Sequence, residues 1–151
     1  MSEHDEKSAL VTDIMLETFR LNGTLLAAGD ALVADLGLTS ARWQVLGAVI
    51  LEDRPLTVAQ IARRMGLTRQ SVQRVVSDLE AVQLVRFEDN PDHKRAKLVA
   101  LTEAGEAAYA EADTRQIAWA RDLADGMEPG ALSTTVRVLQ LLRARNEARE
   151  Q

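Results

Sequence analysis

Apolar residues recur at helical spacing through most of the chain. Over 8–35, Leu10, Ile14, Leu21, Leu25, Leu32 and Leu36 fall near one stripe, with Val11, Met15 and Phe19 beside it; the spacing predicts a long helix. Gly23 and Gly29 lie inside that stretch and predict a bend or interruption. Thr39 or Ser40 then caps a second predicted helix over 41–52, with Trp43, Leu46, Val49 and Ile50 inward and Asp53-Arg54-Pro55 ending it. Thr57-x-x-Gln60 is a capping-box pattern ahead of Ile61, Ala62 and Met65, which predicts a short helix over 58–65 closed at Gly66. Thr68 caps the next helix, where Val72, Val75, Val76 and Leu79 stand at i, i+3, i+4 and i+7. Two short helices joined by a tight glycine-containing turn form a helix-turn-helix.

The period then changes. Leu84–Glu88 and Lys97–Leu101 are short and apolar-rich, and the charged, turn-forming stretch 89–96 separates them; this predicts a β-hairpin with a long tip. Thr102 caps a long helix over 103–124 despite Gly105 in its first turn. Gly126, Pro129 and Gly130 mark a break, and a last helix over 131–148 carries Leu132, Val136, Val138, Leu139 and Leu142. The predicted class is mainly α with a small β-hairpin wing: a winged helix-turn-helix flanked by N- and C-terminal helices.

Composition narrows the chemistry. The chain has 151 residues and no cysteine, so disulfides, thiolate metal sites, cysteine nucleophiles and thiol redox sensing are excluded. Aromatic residues are 3%, so the core is built from Leu, Val, Ile, Ala and Met. No run of about 18 apolar residues suggests a membrane span, and the acidic start MSEHDEKSALV does not read as a signal peptide, so the expectation is a cytoplasmic protein without membrane partners. With His4 in an expected loose tail and His93 in the wing, no catalytic residues, metal ligands or cofactor are expected; no Gly-rich phosphate loop or hydrolase motif occurs.

Charge changes the picture more. The net charge is −5, which suggests a poor nucleic-acid binder. Arg54–Leu101 alone, however, holds nine positive and five negative side chains, a balance of +4, and leaves −9 for the rest. A basic module on an acidic scaffold fits the element order. On the helix after Thr68, Gln70, Arg74 and Ser77 project opposite the valine stripe, flanked by Ser71 and Gln73. Glutamine can read adenine and arginine guanine bidentately, each contributing about 1–3 kcal/mol of discrimination. Thr68, Arg69 and Ser71, at the helix start, are placed for phosphate contacts. Lys94 and Arg95, at the wing tip, suit a minor groove or phosphates.

Leu56-Thr57-Val58-Ala59-Gln60-Ile61-Ala62, Gly66-Leu67-Thr68-Arg69-Gln70-Ser71-Val72, Leu79-Glu80, Asn90-Pro91 through Lys94-Arg95-Ala96-Lys97-Leu98 and Leu101-Thr102-x-x-Gly105 together resemble the MarR family of bacterial transcriptional regulators. The resemblance covers 40–105 by motif and the whole chain by length and element order. It implies one domain over 1–151, with 54–101 as the DNA-binding winged helix-turn-helix and 8–36 and 103–148 as helical dimerisation regions. The dimer residues expected are Leu10, Ile14, Leu132, Val136 and Leu139, because the terminal helices carry more apolar stripe than one small module can cover. The implied function is a dimeric regulator, a repressor by expectation, on a near-palindromic operator of double-stranded DNA. The family also implies a small aromatic or acidic ligand, with Phe19, Arg42, Trp43 and Trp119 as candidate pocket residues, although Phe19 and Trp43 also read as inward core positions. Two positions depart from the family pattern: Gln83 stands where a glycine is usual, and His93 where an aspartate usually precedes the wing arginine. The alternatives are a winged-helix protein-interaction module and a low-specificity architectural DNA-binding protein.

Overall fold

The computed structural model describes residues 2–150. The chain divides into two compact units, Met1–Arg115 and Gln116–Gln151, and the boundary falls within one helix.

The first unit begins with α1, Glu3–Val33, followed by a 3-10 turn, Ala34–Leu36. The helix starts at once because Ser2 and Asp5 form a reciprocal capping box, so His4 is helical rather than in a loose tail. Neither Gly23 nor Gly29 interrupts α1. Gly29 serves a close approach: a Cβ there would overlap the Ser40 hydroxyl, which donates to the Leu26 carbonyl at 2.8 Å. Ser40 opens α2, Ser40–Glu52; Thr39 is its cap, and Asp53 ends it in a left-handed conformation.

The local signals of the helix-turn-helix operate as read. Thr57 Oγ1 accepts from the Gln60 amide at 3.2 Å, and Gln60 Oε1 accepts from the Thr57 amide at 2.9 Å. This starts α3, Val58–Met65, which Gly66 closes at φ 64°. Thr68 accepts from the Ser71 amide and starts α4, Arg69–Ala81. Val72, Val76 and Leu79 are buried, and Val75 packs against them half-buried.

The wing has one strand more than the sequence suggested. β1, Leu56–Thr57, pairs antiparallel with β3, Leu98–Leu101, which also pairs with β2, Val85–Glu88, so the sheet order is β1-β3-β2. Leu56 lies opposite Val99, and both are fully buried. Helix α5, Glu103–Leu123, follows directly. Thr102 joins it to the wing: its amide donates to the Leu84 carbonyl at 3.1 Å, its hydroxyl donates to the Gln83 carbonyl at 2.7 Å and accepts from the Gly105 amide at 3.0 Å. Gly105 is needed here because a Cβ would overlap the Leu84 carbonyl oxygen.

One core serves this unit. Val33, Val45, Leu46, Leu56, Ile61, Val72, Val76, Leu79 and Val99 are its fully buried larger side chains. Arg115 ties α5 to the end of α1, donating to the Leu32 carbonyl at 2.8 Å and to both Asp35 oxygens at 2.6 and 3.0 Å. These bonds hold the Asp35 carboxyl below the usual carboxylate range.

The second unit holds the end of α5 and α6, Pro129–Arg149. Pro129 occupies the first turn of α6, where its missing N–H costs nothing. No side chain of α6 is buried; Val138 and Leu142 are half-buried.

Candidate nucleic-acid interface

The start of α4 and the wing border one concavity of about 720 Å³. Arg69, Gln70 and Gln73 line it from α4, Arg95 and Lys97 from the wing, and Val58, Ala59 and Phe87 give it an apolar floor. Four of the residues singled out from sequence, Arg69, Gln70, Gln73 and Arg95, therefore share a cleft. Thr68, Ser71, Arg74, Ser77 and Lys94 do not line it but are all exposed. Arg74 stands one turn beyond Gln70, and Ser77 one turn beyond Gln73, on the outward side of α4.

Several of these polar groups are held before any partner arrives. Gln73 Nε2 donates to Ser77 Oγ at 3.3 Å, which fixes the amide along the helix. The Ser71 hydroxyl donates to the Thr68 carbonyl at 3.0 Å, and the Thr68 hydroxyl donates to Ser71 Oγ at 3.1 Å. Both hydroxyls are engaged in capping, so the backbone and Arg69 are the freer donors at this helix start.

The two departures fall at the root and the tip of the wing. Gln83 takes the left-handed conformation at φ 61°, so the turn after α4 keeps its shape without glycine. At the tip, Asn90 Oδ1 accepts from the Asp92 amide at 3.0 Å, and His93 Nδ1 accepts from the Ala96 amide at 3.2 Å. Among the described residues no ion pair joins Asp92 to Arg95; the imidazole nitrogen of His93 braces the loop instead.

The cations of the first unit sort by partner. Among residues 2–115, Lys7, Arg20, Arg42, Arg54, Arg64, Arg86 and Arg115 each have a carboxylate within 4 Å. Arg63, Arg69, Arg74, Lys94, Arg95 and Lys97 have none, and all six lie on α3, α4 or the wing. Arg64 is spent on Glu52, and Arg86 on Glu88 and the Leu101 carbonyl, so these two are structural. Sequence reasoning passed over Arg63; its only signal was the charge count.

The candidate ligand residues are not brought together in any of the concavities described. Arg42 donates to the Gly37 carbonyl at 3.1 Å and faces Asp78 of α4 at 3.8 Å. Trp43 is half-buried against the core, and Trp119, in the second unit, is half-buried. Phe19 is 72% exposed, which corrects its reading as a core position: it lies on the part of α1 whose side chains are almost all exposed. The sequence reading also missed Tyr109 of α5, whose ring approaches α2 at Gly47. Burial, then the Asp113 charge, pushes its phenol above the usual value. Among the described residues no cluster of three His or carboxylate groups could hold a metal, and no single helix is long and apolar enough to cross a membrane.

Comparison with known proteins agrees with this geometry. The MarR family model matches residues 36–96, from the end of the 3-10 turn after α1 through the wing tip. The uncharacterized protein Rv2011c of Mycobacterium tuberculosis is 44% identical over 131 residues, 87% of each chain. A transcriptional regulator (MarR family) from Rhodococcus sp. RHA1 superposes with a TM-score of 0.77 at 26% identity, covering 88% of this chain and 94% of that one. CouR from Rhodococcus jostii RHA1, solved bound to p-coumaroyl-CoA, gives 0.77 and 26%, covering 88% and 93%. The MarR family transcription regulator SP03579 shares the fold along 99% of both chains, at a TM-score of 0.82 and 20% identity. By motif, by family model and by fold along nearly its whole length, the chain belongs to the MarR family of transcriptional regulators.

Proposed function

We propose that this protein is a homodimeric, sequence-specific DNA-binding repressor that acts in the cytoplasm on a near-palindromic operator. The observation that carries the reading is the sorting of cations: in the first unit every Arg or Lys free of a carboxylate lies on the helix-turn-helix or wing. Phosphate neutralisation needs such free charges. In this reading α4 enters the major groove, Gln70, Gln73 and Arg74 address base edges, Ser77 adds a contact further along, and Arg69 with the α4 N-terminus holds a phosphate. Lys94 and Arg95 engage the minor groove or flanking backbone.

The dimer reading rests on unburied apolar surface. In the first unit Leu10 is 56% exposed and Ile14 half-buried; in the second Val136 is 53% exposed and Leu132 40%, with Leu139 exposed. Large apolar side chains left exposed on a helix of each unit mark an interaction surface. A second copy doubles the bases read and places half-site centres about 10 bp apart.

A small aromatic or acidic effector belongs to the same reading, by analogy with CouR and its bound p-coumaroyl-CoA. Arg42 and Trp43 on α2 are its candidate contacts within the first unit; Phe19 and Trp119 complete the set named from sequence. The test is selection of bound sequences from a random duplex pool at near-physiological salt, with light scattering on the same sample. An inverted repeat bound by a dimer supports the reading. Binding without a consensus favours an architectural role, and no binding favours a protein-interaction module.

A further inference from the structure

We propose that Arg63, on the first helix of the helix-turn-helix, is a DNA-backbone anchor that extends the interface beyond α4 and the wing. The inference rests on the reading of this module as a DNA binder. Helix α3 ends in two adjacent arginines with different fates. Ile61 and Ala62 define its buried side. At about 100° per residue, Arg64 projects roughly 110° from that side and meets Glu52 of α2. Arg63 projects roughly 150° from it, nearly straight outward. It is exposed and, among the described residues, has no carboxylate partner.

Its neighbours identify what it faces. Ala59, one turn earlier and within about 40° on the helix, lines the concavity between α4 and the wing. Arg63 therefore continues the same side of α3 by about 6 Å, toward the turn that leads into Arg69. Arg69 is the cation at the α4 start and borders that concavity. Arg63 and Arg69 thus flank the helix-turn-helix turn with two free charges, while Arg95 and Lys97 stand on the wing side. A duplex with α4 in its major groove and the wing at the adjacent minor groove would carry a backbone strand past this rim. Arg63 carries no readable base preference in this position; its role is charge and register.

A structural role for Arg63 is also available, because a cation in the last turn favours the carbonyl end of α3. The two roles differ in salt dependence. The experiment measures affinity of the full chain for its selected duplex from 50 to 400 mM salt, with Arg63→Gln, Arg63→Lys, Arg64→Gln and Lys94→Ala, and thermal unfolding of each variant. Arg63→Gln should flatten the slope of log affinity against log salt by about 0.9 per lost contact, near two for a dimer. The weakening between 50 and 200 mM should then become about tenfold smaller than in the parent. Arg63→Lys should keep the parent slope, and Arg64→Gln should keep it too. If Arg63→Gln retains the parent slope while Lys94→Ala flattens it, the assignment of Arg63 is overturned and the DNA-binding reading stands. If the parent binds no duplex at any salt, both fall together.

Discussion

Helices α4 and α6 both carry apolar residues at helical spacing, yet they end in opposite conditions. In α4, Val72, Val76 and Leu79 are buried. In α6, Leu132, Val136, Leu139 and Leu141 are exposed, and nothing on the helix is buried. The same division separates the two ends of α1: Val33 is fully buried, and Leu10, Met15 and Phe19 are exposed. Periodicity in a sequence reports that a stripe needs cover. It does not report whether the cover comes from the same chain. The winged helix closes its own core; α6 and the first part of α1 keep their apolar stripes exposed.

This contrast can be broken in order of effect. Leu79→Ala should cost about 2–5 kcal/mol in chemical unfolding, because it empties a fully buried site. Leu139→Ala, at an exposed site, should cost well under half as much in dilute protein. Equal costs would erase the distinction between the two helices. Arg74→Ala should lose about 1–3 kcal/mol of binding, concentrated at one base position when affinities are compared across operator variants. A uniform loss would move Arg74 from reading bases to holding backbone.

Smaller effects sharpen the picture within the first unit. Gln83→Gly should raise stability by about 1 kcal/mol, since glycine adopts the observed φ of 61° without a Cβ penalty. An unchanged or lowered melting temperature would mean that the Gln83 side chain earns its place by contacts. Asp35→Asn should remove the carboxylate that Arg115 grips at two oxygens. The Asp35 carboxyl is held below its ordinary range in the folded protein, so its contribution is present above about pH 4 and fades as pH falls through the lowered folded value. Parent and variant stability curves should therefore run apart at neutral pH and converge in acid. Curves that stay parallel to pH 2 would remove the ion pair from the account.

What the sequence made legible was local. The Thr57–Gln60 box, Gly66 and Thr68 are signals whose partners lie within three or four residues, and each appears where the pattern put it. The features that were not legible depend on distant partners. Leu56–Thr57 is too short to register as a strand until Val99 and Leu98 lie across from it. Gly105 looked like a weak point in a helix because its reason, the Leu84 carbonyl, is twenty-one residues away. Arg64 and Arg63 are indistinguishable in sequence, and only Glu52 of α2 separates them. Arg42 donates to the Gly37 carbonyl and lies 3.8 Å from Asp78 of α4, and no local pattern announces the Asp78 approach.

Thr102 has a mechanical consequence. Its amide and hydroxyl form three short bonds, two to the residues that open the hairpin and one into the first turn of α5. With Gly105 allowing the backbones to touch, the joint has no slack. A tilt of the first turn of α5 would therefore act on the root of the hairpin, and the tip, several residues farther out, would sweep a wider arc than the helix that moved it. The wing is the long arm of a lever whose pivot is one threonine.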